Sequence, residues 1–60
     1  MNKLTIKQER FVEEYLIDLN ATQAAIRAGY SKSTAQQIGS ENLLKPLIAE
    51  AVQKARSSMS

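Results

Sequence analysis

The sequence predicts an all-α fold: a small four-helix domain containing a helix-turn-helix. Three observations predict it. Apolar residues recur at helical spacing and nowhere alternate as a half-buried strand would. Residues suited to helix N-caps, Thr5 and Asn20, each stand three positions ahead of a glutamine. The helix breakers are few and placed as punctuation, with Gly29 after one apolar stretch and Pro46 at the start of another.

Thr5 and Gln8 form the pattern of a capping box, so the first helix starts there. Its apolar stripe is Phe11, Val12, Tyr15, Leu16 and Leu19, with Glu9, Arg10, Glu13, Glu14 and Asp18 on the opposite, solvated face. Asn20 with Gln23 repeats the capping logic, and the second helix runs from Ala21 to Ala28. It stops at Gly29, the residue best able to take the left-handed conformation past a helix end. Ser31 is the next residue of capping type, so a short turn, Gly29-Tyr30-Ser31, leads into a third helix from Lys32 to about Leu43. Its inward stripe is Ala35, Ile38, Gly39, Asn42 and Leu43. Pro46 suits the first turn of a fourth helix, where its missing N–H leaves nothing unpaired. That helix carries the stripe Leu47, Ile48, Ala51, Val52 and Ala55, and residues 57–60 read as a frayed end or the start of a linker.

Composition bounds the function. Sixty residues make one domain at most, and a chain this short buries only roughly 60% of the surface its unfolded form exposes. There is no cysteine and no histidine. A disulfide framework and a thiolate metal site are thereby excluded, and no cofactor is expected. Apolar runs are three residues long at most, too short to span a membrane. Met1-Asn2-Lys3 leads into no apolar stretch, so no signal peptide is expected and the chain reads as cytoplasmic. An enzyme is the least favoured class: the acids of the first helix lie among basic residues, and no glycine-rich phosphate loop is present.

The net charge is +2, and its distribution says more than its size. Between Asp18 and Glu41 there is no acid, while Arg27 and Lys32 lie in that interval. The same interval, NATQAAIRAGYSKSTAQQIGS, is rich in alanine. Two short helices joined by a turn containing glycine are the helix-turn-helix signature, and alanines let two backbones approach closely across such a turn. Ala25, Gly29 and Ile38 hold the spacing expected of the motif. Ala35 stands where a branched aliphatic is common, which implies a closer helix pair. Gly39, within the third helix, implies a close approach to the first or fourth helix. Ile26, off the alanine stripe, must pack on one of those two helices or stay exposed.

With Ala35, Ile38 and Gly39 inward, the outward face of the third helix carries Ser33, Gln36, Gln37 and Ser40, and Ser31 and Lys32 stand at its leading end. A recognition helix brings its N-terminal residues to base edges in the major groove. Gln pairs with adenine, Ser donates or accepts, and Lys reaches guanine or phosphate. An acid there would be repelled by the duplex. The same pattern also suits plain solvated surface on a helical bundle, and pattern alone leaves both open.

Three longer strings add a resemblance. LTIKQERFVEEYL at 4–16, NATQAAIRAGYS at 20–31 and IGSENLLKPLI at 38–48 together resemble the small subunit of tailed-bacteriophage terminase, over about residues 4–55. Ile6 departs from it, since proline is frequent there. The resemblance implies a DNA-binding domain that recognises the packaging site on double-stranded viral DNA and presents it to the large subunit, the ATPase and nuclease. It further implies that residues 1–60 are a fragment of a larger protein, whose remaining regions self-oligomerise and contact that large subunit. Its site falls here on Ser31, Lys32, Ser33, Gln36, Gln37 and Ser40, with Arg27 as a phosphate contact. Lys3, Lys7 and Arg10 are weaker candidates beside Glu9, Glu13 and Glu14, and Lys54 and Arg56 read as solvation of the last helix. The setting it implies is the host cell cytoplasm. The residues by themselves fit a transcription regulator's DNA-binding domain equally well. A helical protein-interaction module would need an exposed apolar seam, whereas the core is expected to absorb every apolar stripe.

Overall fold

A computed structural model describes residues 4–59 of the chain. The candidate Lys3, the leader reading at residues 1–3 and the last residue of the 57–60 tail lie outside that range. Four helices follow in order: α1 (Ile6–Asp18), α2 (Ala21–Ala28), α3 (Ala35–Leu44) and α4 (Pro46–Met59). The fold is all-α, with no strand among the described residues.

The start of α1 is capped as expected. The Gln8 N–H donates to Thr5 Oγ1 at 3.1 Å, and the Thr5 N–H donates to Gln8 Oε1 at 2.9 Å. Ile6 in place of proline leaves this box intact. Leu19 ends the helix in the left-handed region at φ 57°, a conformation uncommon outside glycine. Its N–H reaches the Tyr15 carbonyl at 2.7 Å. One residue on, Asn20 Oδ1 accepts the Gln23 N–H and caps α2, so two residues link α1 to α2. Gly29 closes α2 at φ 108°, and the Tyr30 N–H bonds back to the Ala25 carbonyl at 3.0 Å. That five-residue return is the Schellman arrangement.

The third helix begins three residues later than the capping pattern suggests, and the connection from α2 runs over residues 29–34. Ser31 does not cap it: its hydroxyl shares a 3.0 Å hydrogen bond with that of Ser33. The chain makes one tight turn instead, in which the Thr34 N–H and hydroxyl both reach the Ser31 carbonyl. Serine and threonine compete with the helix for backbone groups in this way; here Thr34 does so, while Ser31 and Ser33 tie up each other's hydroxyls. Lys45 is extended ahead of Pro46, as the residue before a proline prefers to be. The expected fraying at the chain's end is also corrected, because α4 continues through Ser57 and Ser58 to Met59. Ser58 bonds back to the Lys54 carbonyl at 3.1 Å.

The core is built from Phe11 and Val12 of α1, Ala24, Ala25 and Ala28 of α2, Ala35 of α3, and Ile48 and Val52 of α4. Each helix therefore contributes to one apolar centre, and α4 packs on α1 and α3 to close it. Phe11 stacks with Tyr15 at 6.0 Å between ring centroids. Ile26 packs at the edge of this cluster. Asn42 is 2% exposed, and its Nδ2 has no hydrogen-bond partner among the described residues. The core does not absorb every stripe: Leu19 and Leu47 are each 47% exposed, and Ile6, Ile17 and Leu44 more so. Leu19 is carried outward by its left-handed backbone, and Leu47 lies in the turn of α4 next to the joint with α3.

Gly39 faces α2, and neither α1 nor α4 is its partner. A Cβ placed on Gly39 would sit 2.8 Å from the Ala21 carbonyl oxygen and 3.1 Å from the Ala21 Cβ. The start of α2 thus crosses the middle of α3 almost backbone to backbone. Replacing a mid-helix glycine by alanine ordinarily gains about 1 kcal/mol, but overpacking against a backbone atom costs about 1–3 kcal/mol, and here the second effect wins. Gly39→Ala is expected to lower the thermal unfolding midpoint followed by circular dichroism. Ser40→Ala, one residue on and exposed, is expected to leave it unchanged or raise it.

Candidate nucleic-acid interface

The α2–α3 crossing decides what α3 presents to solvent. With Ala35, Gly39 and Asn42 buried and Ile38 and Leu43 half-buried, the opposite face of the helix carries Gln36, Gln37, Ser40, Glu41 and Leu44, all exposed. Ser31, Lys32 and Ser33 are exposed in the preceding turn. The later helix start therefore places Gln36 and Gln37 in the first turn of α3 and puts the two serines and Lys32 ahead of it. Six of the expected residues, Ser31, Lys32, Ser33, Gln36, Gln37 and Ser40, are exposed on α3 or in the turn ahead of it.

Their hydrogen bonding differs. Ser31 and Ser33 pair with each other, and Gln37 Nε2 donates to Glu41 Oε2 at 3.2 Å. Lys32 has no carboxylate partner among the described residues. Its charge at the head of α3 is balanced by no neighbour, which raises the local field for an anion.

Arg27 stands apart from this surface in its chemistry. Its Nε donates to Glu14 Oε1 at 2.7 Å, and its Nη2 donates to the Glu14 backbone carbonyl at 3.0 Å and to Asp18 Oδ1 at 3.2 Å. The guanidinium is thus a clasp between α2 and α1, and its donors are directed at α1 where a phosphate contact was expected. Glu14 is correspondingly half-buried, with Arg10 as a further partner at 3.2 Å, and does not belong to a purely solvated face. The hydrogen bond from Arg27 holds Glu14 below the usual carboxylate range, against some desolvation. The same donor, helped by the Asn20 N–H, lowers Asp18. Both carboxylates in turn raise Arg27.

Of the weaker candidates, Arg10 is drawn into that cluster. Lys7 has a different setting, with its Nζ 5.2 Å from the centroid of the Tyr30 ring and its Cε 3.6 Å from where a Cβ on Gly29 would lie. A cation over a tyrosine face is held electrostatically by the ring. The lysine of α1 therefore rests against the turn that leads into α3, a placement that spacing along the chain does not reveal. Lys54 and Arg56 are exposed on α4. Among the described residues no group of histidine, cysteine or carboxylate side chains could hold a metal ion, and no helix is long and apolar enough to cross a membrane.

These features define a class of protein: a small helical domain that sets a polar, acid-poor helix face on an alanine-lined neighbour. The chain belongs to the terminase small subunit family, whose model matches residues 4–60. It is 68% identical over 47 residues to the terminase small subunit of Bacillus phage SF6, covering 77% of this chain and 32% of that protein. It is 48% identical over 58 residues to that of Bacillus phage SPP1, covering 95% and 40%, and 41% identical over 49 residues to that of Staphylococcus phage 80alpha, covering 80% and 34%. The chain thus spans between about a third and two fifths of the length of these relatives.

Folding lowers the pKa values of Glu14 and Asp18, so their contribution to stability is full above the unfolded carboxylate range and is lost as pH falls through the folded values. Thermal unfolding midpoints are expected to drop on acidification below about pH 4. Arg27→Met should flatten that drop in part, because it removes the largest cause of both shifts. An equally steep acid dependence in the variant would place the titrating groups elsewhere.

Proposed function

We propose that this chain is the DNA-binding domain of a terminase small subunit, reading double-stranded DNA with the first turns of α3. The observation that carries the reading is the outward face of that helix: Gln36, Gln37 and Ser40 exposed on one side, with the Ser31–Ser33 turn and Lys32, which has no carboxylate partner among the described residues, at its leading end. Glutamine amides and hydroxyls have the donors and acceptors that base edges require. Lys32 and the first amides of α3 suit a phosphate, and Lys7, held against Tyr30, adds a second cation at the same turn. Arg27 is left out of the contact set because its Nε and Nη2 donors are engaged by α1.

In this reading the chain recognises the packaging site of a viral genome within the host cytoplasm and has no catalytic role of its own. It is one domain of a larger oligomeric protein, which presents the DNA to a large subunit carrying the ATPase and nuclease. The family and the chain's share of its relatives' length support that assignment over a transcription regulator. Leu44, 82% exposed, and the half-exposed Leu47 flank the α3–α4 joint and favour a protein contact as a second role on the same domain.

A single module with so few cations should bind weakly. A titration of duplex DNA is expected to give micromolar affinity or poorer, falling steeply with salt because phosphate contacts release counterions. Lys32→Ala should weaken binding to all sequences alike and lower the salt slope by about 1. Gln36→Ala should weaken binding selectively, and both variants should keep their unfolding midpoints. No binding at low salt and high protein concentration would overturn the reading.

A further inference from the structure

Glutamine is an ambivalent reader. Its carboxamide offers one acceptor oxygen and one donor nitrogen, and a free glutamine presents whichever the base edge demands. Gln36 is in that position, with no hydrogen bond to its side chain among the described residues. Gln37 differs, because its Nε2 donates to Glu41 Oε2 at 3.2 Å, one turn further along α3. An ionised carboxylate only accepts, so whenever these two side chains pair it must be the nitrogen end of Gln37 that faces Glu41. That leaves Oε1 and the second Nε2 hydrogen for whatever lies beyond the helix surface, and with the Glu41 oxygens the acceptors of the pair outnumber its donors. Glu41 is itself exposed and adds acceptor oxygens and no donor. The two residues lie four apart, where helix side chains are neighbours.

Major-groove edges divide along the same line. Adenine N6 and cytosine N4 donate, adenine also accepting at N7, whereas guanine O6 and N7 and thymine O4 only accept. We propose that Glu41 is a specificity-determining residue: by holding Gln37 Nε2 it makes the Gln37–Glu41 pair an acceptor reader that selects an amino base, adenine or cytosine, over guanine or thymine at one position of the duplex. Glu41 rejects as well as orients. Its charge opposes keto edges and weakens phosphate contacts to every sequence, exchanging general affinity for discrimination. This proposal rests on the DNA-binding reading above and adds to it the chemical class of base that one turn of α3 accepts.

The test is selection of preferred duplexes from a pool with a randomised segment, followed by competition binding with single-position variants. The wild-type chain is compared with Glu41→Gln, Glu41→Ala, Gln37→Ala and Gln36→Ala. Circular dichroism confirms that each variant is folded, and all three positions are exposed. The wild type is expected to prefer an amino base over a keto base at one position by on the order of tenfold. Gln37→Ala and both Glu41 variants should reduce that preference to about twofold or less at the same position, while Gln36→Ala acts at a different one. Glu41→Gln should also bind all sequences a few-fold more tightly, since one carboxylate has left the phosphate field. Should Gln37→Ala erase the preference while both Glu41 variants retain it, the glutamine reads unaided and the proposal fails with DNA reading intact. A wild type that binds duplexes without base preference also overturns the proposal, and one that binds no duplex overturns both it and the reading beneath it.

Discussion

The contact between Gly39 and the Ala21 carbonyl is the constraint on which the rest depends. Two helix backbones can meet this closely only where neither carries a side chain larger than a methyl group at the crossing. Ala21, Ala24, Ala25 and Ala28 satisfy that on α2, and Ala35 and Gly39 satisfy it on α3. Small residues bury little apolar area each, so the larger groups that exclude water come from outside the pair: Phe11 and Val12 from α1, Ile48 and Val52 from α4. The central pair supplies geometry and the flanking helices supply hydrophobic mass. In a chain of 60 residues, that division leaves one whole side of α3 uncovered.

Charge follows the same partition. The acids of α1 that face α2 are answered by Arg27, which fastens the two helices and has its own positive charge balanced by theirs. Lys32 and Lys7 remain at the turn, one solvated and one resting on Tyr30. The result is a modest cationic edge beside an amide-rich face, with Glu41 as the acid on it. Under the proposed DNA-binding function, a duplex held by few phosphate contacts would gain its preference from base edges or shape, giving each amide on α3 more influence than in a strongly basic domain.

Much of this was legible in the residues themselves, for a physical reason. The Thr5–Gln8 box, the Asn20 cap, the left-handed Gly29 and the leading Pro46 act over three to five positions, and short-range chemistry is what a sequence displays. The inward stripe of α3 was legible too, because burial follows the helical period. What escaped were features decided at a distance or by local competition. Arg27 meets Glu14 from 13 positions away, and only the packing of α1 on α2 makes them neighbours. Gly39 announced a close approach, but its partner is α2 and not the first or fourth helix that was expected. Ser31 looked like a cap, yet Ser33 and Thr34 offered rival hydrogen bonds and delayed the helix. Leu19 looked like core until its backbone turned left-handed. Lys7 could be judged only once Tyr30 was seen beneath it.

The order of the packing has a consequence for how the molecule assembles. The largest interfaces join α1 to α2 and α2 to α3, elements adjacent along the chain, and α4 alone returns to a distant partner when it settles on α1. Contacts between near neighbours in sequence close quickly, which places such a chain among rapid folders. The first three helices can find one another while the polymer is still short, and α4 is the last piece to seal the apolar centre. What α4 brings to that closure is Ile48 and Val52, the aliphatic side chains that cover the lean α2–α3 pair's flank.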